Sequence, residues 1–196
     1  HNPGAMGPGV VIWGDSHVSV LTHQLAEALP DTPIREFTLG GCPPVPGVMN
    51  ILQQTNAPVR KSDACAWYNK TLRDYVLAHD EIRLVVLYAY WTNYTEKRNF
   101  DTAAGFVLRD KLYSVASDVG DTLDEPARLA FLAESFAGLV ADLRAAGKEV
   151  LIVYPLPISA WDLPQYLARL IWKEGQAPAR LAYPMAAFED YAASAR

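Results

Sequence analysis

Four short apolar segments alternate with helix-like segments along this chain of 196 residues. The apolar segments are residues 10–13, 34–39, 82–90 and 149–154. Short apolar runs bounded by glycine or proline predict buried strands. Apolar residues at helical spacing lie between them, at 16–29, 63–79 and 126–146. This alternation predicts an α/β fold, a three-layer sandwich with a mostly parallel central sheet.

The remaining segments carry weaker patterns. Residues 1–9 are interpreted as a linker or expression remnant, which leaves 10–196 as the domain. We predict a loop over 50–62, and a loop with a short helix or hairpin over 96–124. Residues 158–195 are predicted to be helical in pieces. The large side chains available for packing there are Trp161, Tyr166, Leu170, Ile171 and Trp172.

Composition excludes several classes of function. The hydrophobic fraction is 51%, enough for a packed core, and the net charge is −5. Because no cluster of Lys and Arg stands out, nucleic acid and anionic membranes are poor candidate partners. No apolar run reaches the ~18 residues of a membrane span, and no secretory signal is visible.

The two cysteines, Cys42 and Cys65, have no Cys-x-x-Cys spacing, so no metal site is predicted. The residues alone leave two interpretations open. Two free thiols would suit the cytosol, whereas a disulfide would place the domain outside the cytoplasm.

The strongest chemical motif is Gly14-Asp15-Ser16, which joins the first strand to the first helix. A serine at a helix start lies near N–H groups that stabilise developing negative charge, so Ser16 is a candidate nucleophile. The alternative is that Ser16 only caps the helix and Gly14 only forms a turn. His17 and His23 are predicted to be structural or surface residues, because a histidine beside the serine cannot easily reach back to it.

Two more turns follow predicted strands. Gly40 and Gly41 follow the second strand, and Asn93 follows the third. Ligands of parallel sheets bind at the carboxyl ends of strands, so we expect Ser16, these glycines and Asn93 at one edge. The alternatives are a proline-stiffened turn for the glycines and an Asx turn for Asn93. His79 is predicted to lie at a helix end, beside the last carbonyls.

An ordered set of residues resembles the SGNH/GDSL hydrolase superfamily. The set resembles most closely the periplasmic SGNH domain fused to membrane acyltransferases that O-acetylate surface polysaccharides. The matching residues are Trp13-Gly14-Asp15-Ser16-His17, Gly41-Cys42-Pro43-Pro44, Cys65 with Asn69, Trp91 with Tyr94, and Val153-Tyr154-Pro155-Leu156-Pro157.

The resemblance implies a role for each matching residue. Ser16 is the expected nucleophile. The expected oxyanion-hole donors are the N–H groups of Ser16 and Gly41 (or Gly40) and the side chain of Asn93. Trp91 and Tyr94 are expected to be exposed and to contact substrate, and Tyr90 beside them is expected to be exposed as well. The resemblance also implies a disulfide between Cys42 and Cys65, and no cofactor.

The chain departs from the family pattern in its general base. The family uses a histidine three residues after an aspartate, near the end of the domain, but no histidine follows His79 here. We expect that Asp-x-x-His segment beyond Arg196. The alternatives are a domain that binds without reacting and another histidine in that role.

The resemblance therefore implies acetyl or acyl transfer to or from a cell-surface polysaccharide, through a serine acyl-enzyme. The implied partners are an acetylated glycan or acetyl donor and a membrane acyltransferase domain. The implied location is periplasmic or extracytoplasmic, tethered to the membrane. Two alternatives are a catalytically incomplete glycan-binding or docking domain and a free-standing carbohydrate esterase.

Overall fold

The structure is a computed structural model of the chain. It describes residues 1–52, 60–96, 100, 113–117, 124–157, 163–182 and 184–196.

Seven strands are formed by the described residues. They are β1 (Gly9–Gly14), β2 (Ile34–Thr38), β3 (Val48–Leu52), β4 (Arg60–Ser62), β5 (Ile82–Tyr88), β6 (Tyr113–Ser117) and β7 (Glu149–Ile152). Four of them form the central sheet in the order β2-β1-β5-β7, with every neighbouring pair parallel. The parallel sheet predicted from the alternation is confirmed.

Within the ranges given above, six α-helices connect and follow the strands. They are α1 (Val18–Ala28), α2 (Ala64–Ala78), α3 (Thr92–Thr95), α4 (Glu125–Ala145), α5 (Leu163–Glu174) and α6 (Met185–Tyr191), and a 3-10 turn spans Ala193–Ala195. The predicted helix over 126–146 is confirmed as α4. Its start is capped by Asp124, which accepts a 3.0 Å hydrogen bond from the Ala127 N–H, and Gly147 follows its end with φ 74°.

The central sheet is covered on both faces. Alternate residues of β1 point to opposite sides, so Val11 and Trp13 pack with residues of α2 and α4, whereas Val10 and Ile12 pack with residues of α1. All four side chains are buried. The result is the predicted three-layer arrangement of helix, sheet and helix.

A second, smaller sheet was not expected. Strands β3, β4 and β6 pair antiparallel in the order β4-β3-β6. The prediction of a loop over 50–62 is therefore wrong for the residues in β3 and β4. Strand β3 pairs with β4 on one side and with β6, more than 60 residues away, on the other. Most of the segment 96–124 lies outside the described residues. Its described part contains one strand, β6, and α4 begins directly after the segment, at Glu125.

The prediction for residues 158–195 is correct in outline and wrong in part. The segment contains α5 and α6, but Ile171 and Trp172 on α5 are exposed rather than packed. Trp161 lies outside the described residues.

The segment before β1 contacts the body of the domain through Asn2, whose side-chain amide donates to the carbonyls of Ala26, Leu29 and Thr32. The interpretation of residues 1–9 as a linker stays a prediction. Among the described helices, none combines the length and the apolar character required to cross a bilayer.

Candidate active site

Three loops meet at the carboxyl edge of the central sheet, where β1 lies between β2 and β5. Gly14 pairs with Thr38 on one side and with Tyr88 on the other. Hydrogen bonds fasten the loops that follow. The Leu39 N–H donates to the Gly14 carbonyl at 3.3 Å, and the Thr38 hydroxyl donates to the Asp15 carbonyl at 2.7 Å. The loops that carry Ser16, Gly41 and Asn93 therefore leave adjacent strands at the same edge.

Ser16 lies in the turn between β1 and α1, and its side chain is exposed. The N-cap of α1 is His17, not Ser16, and the His17 side chain makes no cap hydrogen bond. The interpretation of Ser16 as a simple helix cap is therefore wrong. The hydroxyl stays available to solvent beside a helix N-terminus whose first N–H groups carry partial positive charge.

Gly14 is required by close packing. A Cβ atom at this position would lie 1.6 Å from the Tyr88 carbonyl oxygen and 2.8 Å from a Val18 methyl group. Only glycine lets β5 and the start of α1 approach this closely. The close approach brings the residues after β5 next to the serine turn.

Asp15 is the polar centre of the site and is buried. Its Oδ1 accepts a 2.9 Å hydrogen bond from the His17 N–H, and its Oδ2 accepts from the Tyr90 N–H at 2.9 Å and the Tyr94 hydroxyl at 2.8 Å. Burial alone would raise the pKa of Asp15, but hydrogen bonds to the His17 side chain, Tyr90 and Tyr94 outweigh it, so the pKa lies below its ordinary value. A fixed anion therefore ties the serine turn to the segment after β5.

The His17 ring also contacts Asp15. Its Nδ1 lies 3.3 Å from Asp15 Oδ1, and the ring packs on Tyr90 with the centroids 4.8 Å apart. Interaction with the Asp15 carboxylate raises the pKa of His17 against the opposing effect of burial. That His17 is a structural or surface residue stays a prediction, with which these contacts agree. At the end of α2, His79 Nδ1 lies 2.7 Å from the Tyr75 carbonyl oxygen, and the His79 ring packs against the Tyr75 ring.

Gly41 lies in a tight turn after β2. The Cys42 N–H donates to the Leu39 carbonyl at 3.0 Å, and Gly41 has φ 70°, in the left-handed region. A glycine is the residue that tolerates this conformation without steric cost. Gly40, just before Gly41, is exposed, and a Cβ atom at Gly40 would meet no atom within 4 Å.

The loop after Gly41 is fixed by one buried amide and one disulfide bond. Asn69 of α2 donates to the carbonyls of Pro43 and Val45 at 2.9 and 2.8 Å, and accepts from the Trp13 indole N–H at 3.1 Å. Cys42 and Cys65 form a disulfide, as the resemblance implied. The Gly41 loop is therefore attached both to α2 and to the core tryptophan of β1.

Asn93 lies within the short helix α3, where its N–H donates to the Tyr90 carbonyl at 2.8 Å. Its side chain is half-buried. Trp91, just before α3, is half-buried as well, and its indole N–H donates to the Val153 carbonyl at 2.8 Å. Trp91 thus joins the segment after β5 to the segment after β7.

The expected exposure of Tyr94 is wrong. The residue is only 2% exposed, because its hydroxyl reaches Asp15 and its ring packs in the core. Tyr90, expected to be exposed like Trp91, is half-buried under the His17 ring. Trp91 and Tyr94 instead line a cavity of about 450 Å³ under α4, with Leu132, Phe136 and Tyr154. A role for either residue in binding substrate therefore stays a prediction, through this cavity rather than through an exposed stack.

Arg128 of α4 is the third buried polar group of the site. Its guanidinium donates to the carbonyls of Tyr94 and Thr95, at the end of α3, and pairs with Glu125. The positive charge therefore lies at the C-terminus of α3, where it is favourable. This contact fixes the segment that carries Tyr94.

Sequence reasoning missed Asp15, Asn69 as an anchor, and Arg128. The signals available in the sequence were the position of Asp15 within the Gly-Asp-Ser motif and the positions of Asn69 and Arg128 among the apolar residues of α2 and α4. Their partners are distant in sequence, so no local pattern identified the contacts. Across the described ranges, no cluster of three or more His, Cys, Asp or Glu side chains has the arrangement of a metal site.

A family model described as "SGNH domain (fused to AT3 domains)" matches residues 1–196. No curated protein and no solved structure matches the chain significantly.

Proposed function

Because this chain belongs to the family of SGNH domains fused to AT3 domains, we propose that it transfers an acetyl or other acyl group to or from a cell-surface polysaccharide. Family membership supports an esterase-type or acyl-transfer enzyme and an association with a membrane acyltransferase. The proposal also includes a polysaccharide as the substrate, a periplasmic location and a tether to the membrane.

The observation that carries the proposal is the placement of Ser16. Its side chain is exposed between the end of β1 and the start of α1, in a turn that the buried Asp15 carboxylate fastens to the segment after β5. A nucleophile needs this combination of access and fixed geometry.

The proposed reaction has two steps. Ser16 Oγ attacks the acyl carbonyl carbon while its proton passes to a general base, and the carbonyl oxygen becomes an oxyanion. The N–H groups of Ser16 and Gly41 and the side-chain amide of Asn93 donate to that oxyanion. Collapse of the intermediate breaks the bond to the leaving oxygen, which takes the proton from the general base, and leaves an acyl ester on Ser16. Water or a sugar hydroxyl then gives a proton to the base and attacks the acyl carbon, and the bond to Ser16 Oγ breaks as that oxygen takes the proton back.

The general base of the proposal is the histidine of an Asp-x-x-His segment outside residues 1–196, as the resemblance implies. His17 is a poor substitute, because its Nδ1 faces the Asp15 carboxylate and its ring is stacked on Tyr90. Asp15 itself acts as a positioning residue for the serine turn, because its two carboxylate oxygens accept hydrogen bonds from the N–H groups of His17 and Tyr90.

The test is hydrolysis of 4-nitrophenyl acetate by the full-length protein. Ser16→Ala should lower kcat/KM by at least about 10³-fold, to near the uncatalysed rate. Ser19→Ala is the matched control, since Ser19 is an exposed serine of α1 that bonds to Glu36 and should leave turnover unchanged. Unchanged turnover in Ser16→Ala would refute the nucleophile. A wild-type protein with no turnover would favour the glycan-binding or docking alternative.

A further inference from the structure

A second groove lies on the outer surface between α2 and α4, away from the apolar cavity under α4. It encloses about 520 Å³, within the range of small-molecule sites. Pro46 and Gly47, which close the loop that begins at Gly41, form one end of it. The groove is therefore continuous in the chain with the edge of the sheet that carries Ser16.

One helix face on each side lines the groove. Asp63, Trp67 and Lys70 lie at successive turns of α2 and its N-cap, and Ser135, Gly138 and Asp142 lie at successive turns of α4. Gly138 leaves the middle of the groove open, because a Cβ there would meet no atom within 4 Å.

Trp67 is the unusual side chain of this groove. It is 68% exposed, although its neighbour Tyr68 turns inward and packs against the core. An exposed indole leaves a flat apolar face in water, which is unfavourable in free energy. A ligand that covers this face therefore gains free energy from its burial. The negative face of the ring attracts polarised C–H groups, which is how aromatic side chains hold the apolar face of a sugar ring.

Charged side chains of both signs surround Trp67, with one more acid than base. Arg73 crosses the groove to Asp142 with a nitrogen–oxygen distance of 2.7 Å, and Lys70 pairs with Asp74 at 2.9 Å. Asp63 holds the N-cap position of α2, but its carboxylate makes no cap hydrogen bond. With Asp74, three acidic and two basic side chains therefore lie in and beside the groove (Asp63, Asp74, Asp142, Lys70 and Arg73), and they offer both acceptors and donors to hydroxyl groups.

We propose that the α2–α4 groove binds a neutral segment of a polysaccharide, with one sugar ring stacked on Trp67 and its hydroxyls on Asp63 and Lys70. The choice of ligand rests on the proposed acyl transfer to or from a glycan. The charge pattern favours a neutral sugar over an acidic polymer, because Lys70 and Arg73 are already paired with Asp74 and Asp142, and Asp63 would repel an acidic polymer. Binding here would hold the polymer on the domain that carries Ser16 without touching the reacting ester.

The test is binding of the full-length protein to immobilised dextran, mannan and galactomannan, with alginate as the acidic polymer, by biolayer interferometry. Trp67→Ala and Gly138→Phe should each raise the dissociation constant for a neutral polymer at least tenfold, the first by removing the platform and the second by filling the groove. Trp172→Ala is the matched control, because Trp172 on α5 is 85% exposed and lies outside the groove. That variant and Ser16→Ala should bind as the wild type does.

Several outcomes would overturn the inference: no neutral polymer bound by the wild type, binding to alginate alone, or equal binding by Trp67→Ala. The same proteins assayed with 4-nitrophenyl acetate separate the two proposals. If Ser16→Ala abolishes turnover while Trp67→Ala binds normally, only the groove is refuted. If Ser16→Ala keeps its turnover while Trp67→Ala loses binding, only the acyl-transfer function is refuted.

Discussion

The Tyr94 hydroxyl donates a 2.8 Å hydrogen bond to Asp15 Oδ2 across 79 residues of sequence. The bond is buried, and it joins the segment after β5 to the turn that carries Ser16. The same oxygen also accepts from the Tyr90 N–H. The carboxylate thus stabilises the site from within, because hydrogen bonds to a charged group are stronger than neutral ones.

Tyr94→Phe should lower the free energy of unfolding by about 1.5–3 kcal/mol, the usual worth of a hydrogen bond to a charged group. Urea unfolding followed by circular dichroism measures it. Tyr75→Phe is the control, since Tyr75 also packs against the core and no hydrogen bond of its hydroxyl is seen among the described residues. A Tyr94→Phe protein as stable as the control would contradict the importance of this bond.

Gly14→Ala should be among the most destabilising small substitutions in the chain. The added Cβ would overlap the Tyr88 carbonyl oxygen at 1.6 Å, and that oxygen belongs to the backbone of the neighbouring strand, so it cannot rotate away. We expect a loss of more than about 3 kcal/mol, visible as a large fall in Tm or as insoluble protein. Gly40→Ala meets no atom within 4 Å and should be neutral or slightly stabilising. Equal melting temperatures for the two variants would show that β1 and β5 are not packed this closely.

Asn69→Ala should cost about 3 kcal/mol or more. It leaves the Trp13 indole N–H and the carbonyls of Pro43 and Val45 without their buried partner, and each such group costs about 1–3 kcal/mol. Lys70→Ala, one residue later on the exposed face of α2, should change stability by less than about 0.5 kcal/mol. Chemical denaturation of both variants gives the comparison, and a small loss for Asn69→Ala would mean that water replaces the amide.

The edge strand β7, predicted to be buried, is largely exposed. The sequence was sufficient for the inner strands β1 and β5 because most of their residues are buried. Such strands are continuous apolar runs, as in Ile82–Tyr88. The helix α4 was predicted because Pro126 marks its start and Gly147 follows its end. Strand β4 was missed because Arg60-Lys61-Ser62 has no apolar alternation. Strand β3 was missed because one of its two partners, β6, is more than 60 residues away.

For the site, the short motifs placed Ser16, Gly41 and Asn93 on the loops that meet at one edge. They did not show that Asp15 is buried and bonded to residues 75 and 79 positions away. Nor did they show that Arg128 is buried, since an arginine in a helix is expected to face solvent. Polar residues that serve a fold at long range leave no periodic pattern.

The Asp15–His17 contact should make stability depend on pH in a defined direction. The pKa of His17 is raised above its ordinary value of 6.5 by the Asp15 carboxylate, so the protonated ring stabilises the folded state. This contribution is fully present below pH 6.5 and is lost as the pH rises through the raised pKa. Asp15 stays ionised throughout that range, because its pKa lies below 3.8.

The measurement compares the wild type with His17→Gln by urea unfolding between pH 5 and pH 9. The difference in the free energy of unfolding should be largest at pH 5 and should shrink above neutral pH. His23→Gln, which removes an exposed histidine of the same helix, controls for the loss of an imidazole. In an NMR titration the His17 ring should titrate above pH 6.5, and Asp15→Asn should move that midpoint down. A midpoint at or below 6.5 in the wild type would mean that the ring and the carboxylate do not interact.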